Sequence, residues 1–169
     1  SVLTIESRLI LDGNTTLSFR GGTLGAKYLS SMLIINGTLF VVNDGIRYKC
    51  VFSRINMDSS GLIIWNHSDI TSQQSSLINR NIMTLGTMDA VTSFFPSITN
   101  YGSVHLYQSC LTRIVLDNHG VVKCFENSSL LNIDQASGSL FLNGSTSLRK
   151  GAFSGGIVRG NGTLKFDGL

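Results

Sequence analysis

One short pattern recurs down the chain at nearly even intervals. It runs turn residue (often Asn or Ser), usually Gly, a small or apolar residue, then apolar, any, apolar. The copies are Asn14-Thr-Thr-Leu-Ser-Phe19, Asn36-Gly-Thr-Leu-Phe-Val41, Ser60-Gly-Leu-Ile-Ile-Trp65, Tyr101-Gly-Ser-Val-His-Leu106, His119-Gly-Val-Val-Lys-Cys124, Ser137-Gly-Ser-Leu-Phe-Leu142 and Asn161-Gly-Thr-Leu-Lys-Phe166, with a blurred one near Met83. With the second residue of each copy as a marker, from Thr15 to Gly162, the intervals are 22, 24, 22, 19, 18, 18 and 24 residues. Self-similarity at a near-fixed period is the mark of a repeat architecture, in which no unit buries its apolar face alone.

The period inside each copy is two, so these segments are strands rather than helices. Leucine-rich repeats share intervals near 20 residues, but the second Leu/Asn framework they need is missing. The hexapeptide rhythm of a left-handed triangular solenoid is missing as well. The sequence therefore predicts an all-β fold, a single-stranded right-handed parallel β-helix (β-solenoid) of about eight coils with 18–24 residues per coil. Stacking places Leu17, Leu39, Ile63, Val104, Val122, Leu140 and Leu164 in one buried column, and Phe19, Val41, Trp65, Leu106, Cys124, Leu142 and Phe166 in the next. Ser18, Phe40, Ile64, His105, Lys123, Phe141 and Lys165 point outward between them.

Residues 1–169 read as a single β-helix domain, expected to be a segment or repeat unit of a longer fibre. Residues 66–100 depart from the pattern and hold the only proline, in Phe94-Phe95-Pro96. They are expected to form irregular coils with protruding loops. Charged residues make up only 14% of the chain, with Ser, Thr, Asn and Gly in their place, a composition suited to an extracellular or cell-surface solenoid. The net charge of +3 is scattered, without the basic stripe a nucleic-acid partner requires. No apolar run is long enough for a membrane span, and Ser1-Val-Leu-Thr-Ile-Glu6 alternates like a strand rather than a leader.

Six sequons are present, at Asn14, Asn36, Asn66, Asn127, Asn143 and Asn161, where 13 Asn and 36 Ser plus Thr give about three at random. They are candidate N-linked glycan sites. The competing reading is an asparagine ladder, since Asn14, Asn36 and Asn161 hold one motif position and adjacent coils lie about 4.8 Å apart. The odd number of cysteines (Cys50, Cys110, Cys124), without a CxxC or a His cluster, points to neither a disulfide framework nor a metal site, and no cofactor is expected.

The stacked two-periodic coils resemble the pectin lyase-like right-handed β-helix superfamily, and the Gly-Thr-Leu rhythm resembles shafts of large adhesins. The first resemblance implies polysaccharide chemistry through carboxylates on an outer wall. Asp117 and Asp134 lie about one coil apart, a spacing that would stack them at about 5 Å, as in a retaining glycosidase or a calcium site. Both sit beside turn residues, where Asp commonly caps a turn, and no tryptophan platform accompanies them. An enzyme is not expected.

Neither end has the polar outer face of a capping coil. From Gly162 to Thr15 of a following copy is 22 residues, so copies are expected to stack head to tail with themselves, as a structural subunit of a glycosylated extracellular fibre. An adhesin shaft or receptor-binding β-helix is the first alternative, and a polysaccharide-binding or polysaccharide-cleaving protein the second.

Overall fold

The computed structural model describes residues 2–42, 50–66, 70–73, 75–86, 97–107, 110–125 and 128–166. It is a parallel β-solenoid. Every strand pairing among the described residues is parallel, and the described secondary structure is entirely strand. The first wall stacks Val2–Ile5, Gly22–Ala26, Cys50–Ser53 and Ile70–Gln73. The second stacks nine strands: Arg8–Leu11, Met32–Ile35, Asn56–Ser59, Ser76–Asn79, Ser97–Asn100, Cys110–Asn118, Ser128–Gln135, Ser145–Phe153 and Thr163–Phe166. The third stacks eight: Thr16–Phe19, Thr38–Val42, Leu62–Asn66, Ile82–Leu85, Ser103–Tyr107, Val121–Phe125, Ser139–Asn143 and Ile157–Gly160. The expected eight coils are corrected to about six turns, while the third wall stacks eight described strands and the second nine.

The third wall carries the recurring motif, and its register follows the expected columns from Leu17 through Leu39, Ile63, Met83, Val104 and Val122 to Leu140. From Leu39 onward these side chains are essentially sealed from solvent. The blurred copy fits this column through Met83, which makes Asn81 rather than Met83 the counterpart of the marker glycines. The last copy does not fit. Val158 occupies the rung after Leu140 and Gly160 the rung after Leu142, whereas Leu164 and Phe166 pair with Thr146 and Leu148 in the second wall. The motif specifies a turn followed by a strand, and says nothing of which wall receives it. The 22-residue head-to-tail interval counted from Gly162 therefore falls away, because the true counterpart of Gly138 is Gly156.

The uneven spacing also has a local cause. In the early coils the chain turns between first and second walls, and buried serines hold these corners. Ser31 Oγ donates to the Glu6 carbonyl at 3.0 Å, and Ser75 Oγ accepts from the Ile55 amide at 3.1 Å. Such bonds replace the ladder partners that a corner loses. In the later coils the corner is drawn into strands of eight or nine residues, with a register shift between Leu111 and Val115, and the coil shortens. Within 66–100, the strands Ile70–Gln73, Ser76–Asn79, Ile82–Leu85 and Ser97–Asn100 pair in register with their neighbours. Phe94, Phe95 and Pro96 lie outside the described residues.

The marker glycines are required by close approach. The Gly102 carbonyl accepts from the Val121 amide and the Gly120 carbonyl from the Ser139 amide, each at 2.8 Å. Each carbonyl thus points along the axis into the next coil's turn. A Cβ on Gly120 would collide with the Gly102 oxygen, and one on Gly138 with the Gly120 oxygen. Gly13, by contrast, has nothing within 4 Å of such a Cβ. Gly120→Ala is expected to cost about 2 kcal/mol or more, while Gly13→Ala stays within about 1 kcal/mol, as read by urea unfolding.

Candidate functional site

Among the described residues, the corner between the second and third walls carries a buried amide row and an exposed charged and aromatic row, on two faces of the backbone. Its inner face is a column in the second wall that reads Leu11, Ile35, Ser59, Asn79, Asn100, Asn118, Gln135 and Phe153. The four amides are fully buried. Asn79 Nδ2 donates to Asn100 Oδ1 at 2.8 Å, Asn100 Nδ2 to Asn118 Oδ1 at 2.8 Å, and Asn118 Nδ2 to Gln135 Oε1 at 3.0 Å. The second hydrogens reach carbonyls at the start of third-wall strands, for example Asn79 to Ser103 O at 3.1 Å and Asn100 to Val121 O at 3.2 Å. An amide carries both a donor and an acceptor, so a row at coil spacing satisfies itself. Only the row's ends, Asn79 Oδ1 and Gln135 Nε2, are left without a partner.

This is the asparagine ladder, on other residues than the sequence indicated. Asn14 and Asn36 are exposed on the outside of this corner, where Asn36 Oδ1 accepts from Ser60 Oγ at 2.8 Å. Asn161 stands exposed at the far end of the third wall, as does Asn143. A signal was present: Asn79, Asn100 and Asn118 each precede Asn81, Gly102 and Gly120 by two residues. Asn127 and His67 lie outside the described residues, and of Asn66, Trp65, Cys50 and Cys110 only the backbone is described.

The outer face of the same corner is a charged and aromatic row. Asp58 Oδ1 accepts from Arg80 Nε at 3.0 Å, and the Arg80 guanidinium lies 5.6 Å from the centre of the Tyr101 ring. Tyr101 stacks on His119 with centroids 5.2 Å apart and planes 14° from parallel. His119 Nε2 meets Asp117 Oδ1 at 3.1 Å, and its Nδ1 meets Ser137 Oγ at 3.3 Å. Asp117 and Asp134 are register partners, as their spacing predicted. The row thus brings together Asp117, Asp134, His119 and Ser137, two of which the sequence reading did not single out.

Ser137, His119 and Asp117 follow in the order nucleophile, base, carboxylate. Their setting is open: about a third of each of the His119 and Asp117 side chains is exposed, so water screens the charges and competes for every partner. Tyr101 has Arg80 and His119 as stacking neighbours, so its ring is no bare platform for a sugar. Among the described residues no three His, Cys, Asp or Glu side chains converge as a metal site. Cys124 is free and buried in the core column, and burial pushes its thiol up to about 11, which leaves it an inert small hydrophobe. No helix of the described residues is long and apolar enough to cross a membrane. Comparisons with protein-family models, with curated proteins and with solved structures returned no match to this chain.

The two faces of the corner differ in energetic weight. Asn100→Leu strips partners from two sealed amides and is expected to cost about 3 kcal/mol, whereas His119→Ala, a change on the screened face, should cost under about 1 kcal/mol in urea unfolding.

His105 supplies a pH test from the third wall. Burial, then the neighbouring Lys123, pulls it below the ordinary histidine value of 6.5. The unfolded chain therefore binds the proton more readily, and the stabilisation from neutral His105 is lost as pH falls from about 6.5 through the folded value. The melting temperature should drop on acidification through this window, and His105→Gln should flatten that part of the profile.

Proposed function

We propose that this chain is a structural element of an extracellular β-helical fibre or shaft, built by axial stacking of coils. The observation that carries the proposal is the contrast along its columns. Leu140 is fully sealed, yet Val158 on the next rung is 45% exposed, and Phe153 and Phe166 are 41% and 68% exposed. At the other end Leu3, in register with the sealed Leu24, is 44% exposed. Open strand edges beside bare apolar columns invite another coil. That coil comes from the same polypeptide or from another copy, and no covalent tandem register is needed for separate chains to stack. The exposed sequon asparagines Asn14, Asn36, Asn143 and Asn161 support a glycosylated, extracellular setting.

The Asp117/Asp134 stack favours one second reading, a polysaccharide-binding wall. Oligosaccharide binding that is lost on Asp117→Asn or Asp134→Asn would support it.

The first test is electron microscopy of the purified chain. Unbranched fibres with an axial spacing of about 4.8 Å are expected. Val158→Lys should abolish them while the circular dichroism of each subunit stays unchanged. Discrete particles that never stack, at any concentration, overturn stacking between separate copies.

A further inference from the structure

We propose that Asn143 carries an N-linked glycan whose first sugar continues the aromatic stack of Tyr107 and Phe125; this rests on the glycosylation reading above. Tyr107, Phe125 and Asn143 are consecutive rungs at the outer end of the third wall. The Tyr107 and Phe125 rings lie 4.5 Å apart with planes 5° from parallel, close to the spacing of about 4.8 Å between coils. The rings are therefore piled along the axis. Tyr107 covers one face of Phe125, and His105 meets the ring edge-on at 5.9 Å and 78°. The other face turns toward the next rung, where Asn143 is exposed and opens the sequon Asn143-Gly144-Ser145.

A pyranose ring presents a flat face of polarised C–H bonds, and an aromatic face carries the negative lobe of its quadrupole. A sugar joined to Asn143 Nδ2 begins one rung from that face and can lie flat on it. Of the four described, exposed sequon asparagines, Asn143 is the one that follows an aromatic rung. Asn36 Oδ1 already accepts from Ser60, and Asn161 follows Asn143 itself, so its glycan would have no ring beneath it. The modification is a glycosyl transfer from a polyprenyl-pyrophosphate-linked oligosaccharide. A bond forms between Asn143 Nδ2 and the anomeric carbon as the amide loses a proton, and the anomeric C–O bond breaks to release the polyprenyl pyrophosphate.

The test is secretion of the full chain from a eukaryotic host, glycopeptide mapping by mass spectrometry, and trimming to a single N-acetylglucosamine. Asn143 is expected to be occupied. The trimmed protein should melt about 2–4 °C above Asn143→Gln, and the sugar ring protons should shift upfield in NMR spectra under the Phe125 ring current. Phe125→Leu, which keeps an apolar side chain on the wall, should remove both effects. An empty Asn143 beside other occupied sequons overturns the inference, as does an occupied Asn143 with no thermal gain or with a gain that survives Phe125→Leu. If all six sequons are empty, the glycosylation reading fails and takes the inference with it.

Discussion

Parallel backbone pairing fixes adjacent coils at about 4.8 Å, and every side chain at a corner must accept that spacing. The spacing disfavours a Cβ where one turn's carbonyl enters the next, so Gly61, Gly102, Gly120 and Gly138 hold this position up the corner, with Asn81 on the rung between Gly61 and Gly102. The same distance suits a primary amide, which hands its hydrogen to the next coil at 2.8–3.0 Å in the row from Asn79 to Gln135. It also suits flat rings, and the Tyr107–Phe125 and Tyr101–His119 stacks fall at 4.5 and 5.2 Å. Glycine, amide and ring are three answers to one geometric demand.

The contrast between the two faces of the main corner follows from solvent rather than from residue type. Inside, the amides have no water to turn to, so each missing partner leaves a desolvated group and the row is satisfied along its length. Outside, Asp58, Arg80, His119 and Asp117 make contacts of similar length, but exposure weakens them. A relay of serine, histidine and carboxylate that lies open to water orders the surface without enclosing a reacting molecule.

Much of the solenoid was legible because alternation and marker glycines each have one dominant physical cause. The third-wall columns from Leu17 to Leu140 could be read directly, and so could the pairing of Asp117 with Asp134. The terminal copy misled because Asn161-Gly-Thr-Leu-Lys-Phe166 spells the same turn and strand while lying in a different wall. Its reassignment depends on the Ile157–Gly160 strand, where Gly155 and Gly156 hide the marker and Gly160 supplies no side chain to the core column. The ladder was misplaced for a related reason. An asparagine before a glycine and one two residues earlier look alike as letters, and only the direction of the side chain relative to the corner separates a sequon from a buried rung.

The ladder column also argues that the two ends of the solenoid are chemically unlike. It begins apolar with Leu11 and Ile35, passes through Ser59, becomes amide from Asn79 to Gln135, and meets Phe153 on the last paired rung. The amide row has a sense, with an unpaired acceptor at Asn79 and an unpaired donor at Gln135. Parallel strands carry the same sense in their backbone, since every coil ascends in one direction. A coil added at the Val158 end therefore meets a different surface from one added at the Leu3 end. Stacking of copies would then be heterologous and polar, and a closed two-fold pair would have to oppose like ends whose strands run against each other.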